Sequence, residues 1–84
     1  MPADPIDLVG LGERLAAVRK AYGESIDLPN LRPNLFAALL GVSPSSYESC
    51  ERGEVEPTVA FLVTLRKKAG VSLDWLLDPP HRLQ

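Results

Sequence analysis

The hydrophobic residues of this chain recur at helical spacing and predict five helices. In the N-terminal segment the apolar positions lie three or four residues apart, with charged residues on the other faces: Leu8, Leu11, Leu15, Val18 and Tyr22. The predicted helices cover residues 8–23, with a start as early as 4–7, and then residues 32–40, 44–52, 59–69 and 73–77. No segment alternates with the period of two that marks a strand. The chain is therefore predicted to be all-α, with five helices around a single core.

The predicted core combines the inward-facing residues of these helices. In helix 2, all four large apolar residues are expected to face inward: Leu35, Phe36, Leu39 and Leu40. Across the chain, the side chains expected to be largely buried are Leu15, Val18, Leu35, Leu39, Val42, Tyr47, Leu62, Leu65 and Leu73. Gly10 and Gly12 are expected to weaken the start of helix 1. Residues 24–30 show no periodicity and contain Pro29 and Asn30, which predicts a loop.

A tight turn joins helices 2 and 3. Gly41 supplies the positive φ that ends a helix without a steric penalty, and Ser43 can cap the next helix through its hydroxyl. Pro44 fits the first position of helix 3, where its missing N–H is no loss. Two short helices that meet across a glycine turn are typical of a helix-turn-helix unit, whose second helix can enter the major groove of DNA.

Composition places the chain among small globular domains. Its 84 residues, 45% hydrophobic and 24% charged, suffice for one domain over 1–84, with a core at about 8–77 and a short proline-rich tail at 78–84. No apolar run of about 18 residues is present, so we expect no membrane span. The single cysteine, Cys50, has no partner for an internal disulfide, which favours a cytoplasmic location. A net charge of −2 argues against a nucleic-acid partner, because DNA-binding domains commonly carry a basic field.

No constellation of catalytic or metal-binding residues stands out in the sequence. We find no nucleophile–base pair, phosphate-binding glycine loop or converging carboxylates, so neither an enzyme nor a cofactor or metal site is expected. His81 stands alone in the tail, without a cysteine or carboxylate at ligand spacing. Cys50 has only Arg52 as a basic neighbour, which predicts a small core side chain rather than a reactive thiol.

Several short stretches of the sequence resemble one known family. They are Leu-Gly-Glu-Arg-Leu at 11–15, Phe-Ala-Ala-Leu-Leu-Gly-Val-Ser at 36–43, Glu-Arg-Gly at 51–53, Pro57, and Gly-Val-Ser-Leu-Asp-Trp-Leu-Leu at 70–77. In this order and spacing they are similar to the phage-repressor (XRE, Cro/C1-type) helix-turn-helix family. The resemblance implies a compact five-helix, lambda-repressor-like domain. It also implies a transcriptional regulator that binds double-stranded DNA as a homodimer.

The resemblance further implies which residues carry the function. By position, the start of helix 2 would contact phosphates and the outer face of helix 3 would contact bases. Arg32 and Arg52 mark the two ends of the helix 2–3 unit, and serine hydroxyls between them can donate to phosphates or bases. The candidate DNA-binding residues are Arg32, Asn34, Ser43, Ser45, Ser46, Glu48, Ser49 and Arg52. Glu51 falls where family members pair a carboxylate with an arginine late in helix 1, here Arg19, which implies a structural pair.

The sequence departs from the family in and near helix 3, the helix that would read the bases and is called the reading helix below. Pro33 stands where a glutamine often opens helix 2, and Pro44 and Ser49 stand where arginine, lysine or glutamine is frequent. Residues 24–30 are inserted between helices 1 and 2. These departures keep an alternative open, in which the fold is a protein–protein interaction module with weak or no DNA binding.

Charge on the reading helix is the feature that separates these two hypotheses. Residues 43–53 hold two acidic side chains, Glu48 and Glu51, against the single basic Arg52, which favours the interaction module. In that alternative the surface for a protein partner consists of Pro44, Tyr47, Glu48 and the inserted loop. The serines and Arg32 leave hydrogen-bond donors for DNA, so we take DNA binding as the leading hypothesis.

The sequence leaves two alternative environments open for Trp75 and Leu76. They either belong to the core or form a contact across a two-fold axis, since aromatic residues are enriched at the centres of interfaces. For a DNA-binding homodimer, we expect Trp75, Leu76 and the helix 4–5 region to lie at the two-fold interface, with both copies of helix 3 on one side.

Overall fold

Five helices make up most of the structure. The computed structural model describes residues 7–77, and these helices are α1 (Leu8–Ser25), α2 (Pro33–Leu40), α3 (Pro44–Glu51), α4 (Val59–Ala69) and α5 (Leu73–Leu77). Within these residues there is no β-strand, so the all-α, five-helix prediction is confirmed. The predicted tail at 78–84, with His81, and the alternative start of α1 at residues 4–6 lie outside the described residues.

The boundaries of the helices follow from local chemistry. The Asp7 carboxylate accepts a hydrogen bond from the Gly10 N–H at 3.0 Å, and the Thr58 hydroxyl accepts one from the Phe61 N–H at 3.0 Å. Each bond satisfies one of the free N–H groups in the first turn of a helix. At the other end of α4, Gly70 adopts a left-handed conformation that stops the helix.

Gly12 brings α1 and α3 close together. α1 runs through Gly10 and Gly12, the two positions that were expected to weaken its start. Gly12 is buried, and a Cβ atom at this position would overlap with the carbonyl oxygen of Glu51 at the end of α3. The missing side chain therefore sets the distance between the two helices.

The core takes one aromatic ring from each of the first four helices. Tyr22 of α1 packs against Phe36 of α2, with ring centroids 5.4 Å apart. Phe36 meets Tyr47 of α3 edge to face at 5.4 Å, and Tyr47 meets Phe61 of α4 at 5.8 Å. The apolar residues buried around these rings are Leu11, Leu15, Val18, Leu31, Ala37, Leu40, Cys50, Leu65 and Leu76.

Two residues that were predicted to be buried lie on the surface. Leu35 is 45% exposed and Leu39 is 42% exposed, whereas Phe36 and Leu40 are buried. Successive residues of a helix are about 100° apart, and the inner face of α2 is centred on Phe36, Ala37 and Leu40. Leu35 and Leu39 fall on the opposite side, so the prediction for them is wrong.

The rest of the predicted core is confirmed in part. Leu15, Val18, Tyr47 and Leu65 are buried as expected. Because Tyr47 is buried, its assignment to the surface for a protein partner is wrong. The three remaining members are only partly buried and pack against the edge of the core: Val42, Leu62 and Leu73.

The inserted segment folds back onto the end of α1. The helix continues past the predicted end at Gly23 to Ser25, so the first residues of the expected loop are helical. The chain then turns at Asp27, which has a positive φ of 64°. The Leu28 N–H donates to the Gly23 carbonyl oxygen at 2.7 Å, and Leu31 is buried in the core. The segment thereby leads directly into the first turn of α2.

Trp75 and Leu76 have different surroundings in α5. Leu76 is fully buried, while Trp75 is 48% exposed. Trp75 is therefore not a core residue, and Leu76, which was expected at a two-fold interface, packs inside the monomer instead. The Leu76 carbonyl oxygen accepts a hydrogen bond from Arg14 Nε at 2.7 Å, which ties α5 to α1.

None of the helices within residues 7–77 combines the length and the apolar character that are needed to cross a bilayer.

Candidate nucleic-acid interface

Backbone hydrogen bonds close the turn between α2 and α3. Gly41 is in the left-handed region at φ 79°, and its N–H donates to the Ala38 carbonyl oxygen at 3.1 Å. The Val42 N–H donates to the Ala37 carbonyl oxygen at 3.0 Å. These bonds satisfy two carbonyl groups in the last turn of α2. The Lys68 ammonium of α4 donates to a third, the Leu40 carbonyl oxygen, at 3.3 Å.

Ser43, one of the predicted DNA-binding residues, caps the first turn of α3. Ser43 Oγ accepts from the Ser46 N–H at 3.5 Å and lies 3.2 Å from Ser45 Oγ. The hydroxyl of Ser43 is thus engaged within the protein, as the predicted cap requires. Pro44 occupies the first helical position.

The inner side of α3 is held by the core and by an ion pair. Tyr47 and Cys50 are buried between α3 and the other helices. Arg19 of α1 donates from Nε and Nη2 to the two carboxylate oxygens of Glu51, at 3.0 and 2.9 Å. The family resemblance implied this pairing of Arg19 with Glu51, and the structure brings the two side chains together.

Four of the candidate residues share the outward face of α3. Successive helix positions are about 100° apart, which places Ser45, Glu48, Ser49 and Arg52 on the side opposite Tyr47 and Cys50. Ser45 and Arg52 are exposed, while Glu48 and Ser49 are half-buried. Ser46 lies apart from them and borders an open groove of about 520 Å³ between α3 and α4. The face that could meet DNA is therefore narrower than the sequence predicted.

Arg52, at the end of α3, is surrounded by acceptors. Its Nε donates to Glu54 Oε2 at 3.0 Å, and its Nη2 donates to Glu54 Oε1 at 3.2 Å and to Ser49 Oγ at 3.4 Å. Its Nη1 lies 4.0 Å from Glu48 Oε1. The hydrogen bonds from Arg52 lower the pKa of Glu54 below its ordinary value.

Sequence reasoning missed the part of Glu54 in this cluster. Gly53, at φ 77°, reverses the chain after α3, and the Glu54 N–H donates back to the Ser49 carbonyl oxygen at 2.9 Å. The turn lays the Glu54 side chain alongside Arg52. The signal in the sequence was an arginine, a glycine and a glutamate in a row, since glycine at a helix end is typical of such a reversal.

The start of α2 offers the second group of candidates. Arg32 precedes Pro33 as the cap residue and makes no side-chain capping bond, and both Arg32 and Asn34 are exposed. Over residues 7–77, no ion pair engages the Arg32 guanidinium. Arg32 and Arg52 therefore differ, because one cation is open to a ligand and the other already has carboxylate partners.

The described residues hold no cluster of three or more metal-ligand side chains. Cys50 is buried, and burial raises the pKa of its thiol, which disfavours the nucleophilic thiolate. The hydroxyl of Tyr47 is buried as well, 3.5 Å from the Leu15 carbonyl oxygen, and burial raises its pKa. Both groups belong to the packing of α3.

The match to a known family covers this interface. The helix-turn-helix family model matches residues 30–76, which include α2 to α4, all of α5 except Leu77, and every candidate DNA-binding residue. The chain therefore belongs to the phage-repressor-like (XRE, Cro/C1-type) helix-turn-helix family and is a DNA-binding helix-turn-helix regulator. This family is regulatory and not typically enzymatic. No curated protein and no solved structure matches the chain.

Proposed function

We propose that this protein is a sequence-specific transcriptional regulator that places α3 in the major groove of DNA. The observation that carries the proposal is the outward face of α3, where Ser45, Glu48 and Ser49 lie on a helix that the core and the Arg19–Glu51 pair hold firmly. A rigid helix with short polar side chains can approach base edges closely. Such an approach is what direct readout in the major groove requires.

Each group on this interface suits a different part of the duplex. The hydroxyls of Ser45 and Ser49 can donate to or accept from bases or phosphates. The Glu48 carboxylate can accept from the amino group of cytosine, whereas the phosphates repel it. Arg32 and Asn34, at the start of α2, suit the phosphate backbone, where they would fix the register of the helix without reading sequence.

The proposal includes a homodimer that presents two copies of α3 to successive turns of the major groove, about 34 Å apart. Exposed apolar side chains on α4 and α5 support an interface there. Val59 is 76% exposed, Val63 is 43% exposed and Trp75 is 48% exposed. Sedimentation of the free protein should show a dimer at high micromolar concentration, and a monomer at every concentration would oppose this part of the proposal.

A salt titration tests DNA binding itself. The affinity for a random duplex should fall steeply as salt rises, because bound phosphates release counterions. Arg32→Ala should weaken binding to all duplexes alike and reduce the slope of log affinity against log salt by about 1. Arg66→Ala, which removes the same charge from α4, is the matched control and should change the slope less. A wild-type affinity that does not depend on salt would refute the proposal.

One alternative has specific support, namely that the helix-turn-helix unit binds a protein. Leu28, Leu35 and Leu39 are 42–45% exposed on the α2 side of the molecule, and Arg52 is already engaged by carboxylates. This alternative predicts that Arg32→Ala leaves DNA affinity unchanged. It also predicts that Glu48→Gln abolishes binding of a cellular protein partner.

A further inference from the structure

The guanidinium of Arg52 has hydrogen-bond acceptors at two of its nitrogens and a carboxylate 4.0 Å from the third. The Glu54 carboxylate bridges Nε and Nη2, Ser49 Oγ lies near Nη2, and the Glu48 carboxylate lies near Nη1. Two carboxylates thus surround one cation. The C-terminal end of α3 is therefore net negative, although it carries an arginine at a position suited to phosphate.

The geometry of the Arg52–Glu54 contact is the one that a phosphate would adopt. Arginine binds carboxylate and phosphate groups in the same way, through two parallel N–H bonds from one edge of the guanidinium. Glu54 uses both nitrogens of such an edge, at 3.0 and 3.2 Å. A DNA phosphate cannot use this edge of Arg52 while Glu54 holds it.

The backbone keeps Glu54 in reach of Arg52. The Gly53 N–H donates to the Cys50 carbonyl oxygen at 3.0 Å, and the Glu54 N–H donates to the Ser49 carbonyl oxygen at 2.9 Å. These bonds attach residue 54 to the last turn of α3. The carboxylate therefore moves with the reading helix and remains beside Arg52 when α3 approaches DNA.

From this arrangement we infer that Glu54 sets the affinity of the protein for DNA by occupying the phosphate-binding edge of Arg52. The inference rests on the proposed function, and it adds a residue, Glu54, that weakens DNA binding. DNA binding must displace Glu54 from Arg52 or leave Arg52 unused. In either case the intact pair weakens binding to every sequence, so base contacts on α3 have to supply a larger share of the affinity.

Both side chains are about half exposed, 55% each, so the pair itself is weak. The effect of releasing Arg52 is correspondingly modest. Glu54→Gln should tighten binding to a random duplex about threefold to fivefold. The slope of log affinity against log salt should steepen by about 1, because one more phosphate is engaged.

A matched control separates this effect from the loss of a negative charge near DNA. Glu56→Gln removes the same charge two residues away, in the same connector, where the side chain is exposed and has no hydrogen bond to Arg52 among the described contacts. Glu56→Gln should tighten binding less and leave the salt slope unchanged. In an Arg52→Ala background the two glutamine variants should have the same affinity, since there is no guanidinium left to release.

Equal gains from Glu54→Gln and Glu56→Gln with Arg52 present would overturn the inference. If wild-type binding is nevertheless steeply salt-dependent and weakened by Arg32→Ala, the proposed function stands and only the part of Glu54 is refuted. If the wild type and Glu54→Gln both fail to bind duplexes at low salt, both proposals fall. Thermal unfolding of each variant shows whether a change in affinity reflects a change in folding.

Discussion

Arg19 and Glu51 join three parts of the fold through one guanidinium. Arg19 Nε and Nη2 donate to the Glu51 carboxylate, and Nη1 donates to the Leu31 carbonyl oxygen at 2.7 Å. The two side chains are only 14% and 13% exposed. The contact links α1 to the segment that precedes α2 and to the end of α3. It therefore helps to fix the orientation of the α2–α3 unit relative to α1.

Loss of this contact should destabilise the domain. Arg19→Ala removes three hydrogen bonds and leaves the mostly buried Glu51 carboxylate without its partner, so the free energy of unfolding should fall by about 1–3 kcal/mol. The exposed Arg52→Ala is the control for loss of an arginine, and it should leave that free energy nearly unchanged, because exposed ion pairs contribute little to stability. Urea unfolding followed by circular dichroism measures both. A similar loss of unfolding free energy in the two variants would show that the Arg19 contact stabilises the domain no more than an exposed arginine does.

Gly12 should be intolerant of even one methyl group. Helix propensity alone predicts that Gly12→Ala stabilises α1 by about 1 kcal/mol. Overlap with the Glu51 carbonyl oxygen predicts the opposite sign, because neither backbone can move without disturbing the α1–α3 contact. We expect a net loss of about 1–3 kcal/mol in urea unfolding. The exposed Ala17→Gly reports the propensity effect by itself, and stabilisation by Gly12→Ala would contradict the close approach of the two helices.

Leu39 and Leu40 are neighbours with opposite environments, and they offer a matched pair of variants. Leu40 is 2% exposed, so Leu40→Ala should lower the free energy of unfolding by about 2–5 kcal/mol. Leu39 is 42% exposed, and Leu39→Ala should lower it by about 1 kcal/mol or less. Comparable effects, or a larger one at Leu39, would mean that α2 presents a different face to the core.

The leucines also show where sequence reasoning succeeded and where it failed. The termini of α4 and α5 were predicted correctly, since capping side chains, glycines and prolines act within a few residues of the chain. The inner face of α2 was not, because four apolar residues within six positions cover most of the helix circumference and leave no unique face. Tertiary packing decides that Phe36 and Leu40 face the core. The residues that mark the two ends of α2 do not show which face this is.

The candidate site was predicted less completely than the fold. The pairing of Arg19 with Glu51 was implied by the family resemblance, whereas the pairing of Arg52 with Glu54 depends on how the chain turns after Gly53. The place of Gly12 against Glu51 depends on a contact between residues far apart in sequence. Long-range contacts of this kind leave no periodic signal, which explains why single-sequence reasoning does not find them.

Cys50 should couple stability to pH on the alkaline side. Burial raises the pKa of its thiol in the folded state, so the unfolded chain loses this proton first as pH rises. Stability from this group is fully present below the unfolded pKa of about 8.5 and declines as pH rises from there towards the folded pKa. Urea unfolding at pH 7.5 and 9.5 measures the decline. Cys50→Ala should reduce it, and an equal decline in that variant would exclude Cys50 as its cause.

The thiol should also be protected from modification. In the native state the neutral, buried Cys50 should react with Ellman's reagent much more slowly than in the urea-unfolded chain. Equal rates in the two states would place the thiol on the surface.

Selection of DNA sequences from a random duplex pool tests most directly whether α3 reads DNA. The wild type should enrich a pair of half-sites, and Glu48→Gln should enrich the same sites with one base pair relaxed by about 1–3 kcal/mol while it binds random DNA more tightly. Glu56→Gln, the control for charge, should keep the full preference. An unselective pool with the wild type, or an unchanged preference with Glu48→Gln, Ser45→Ala and Ser49→Ala alike, would contradict sequence readout by α3.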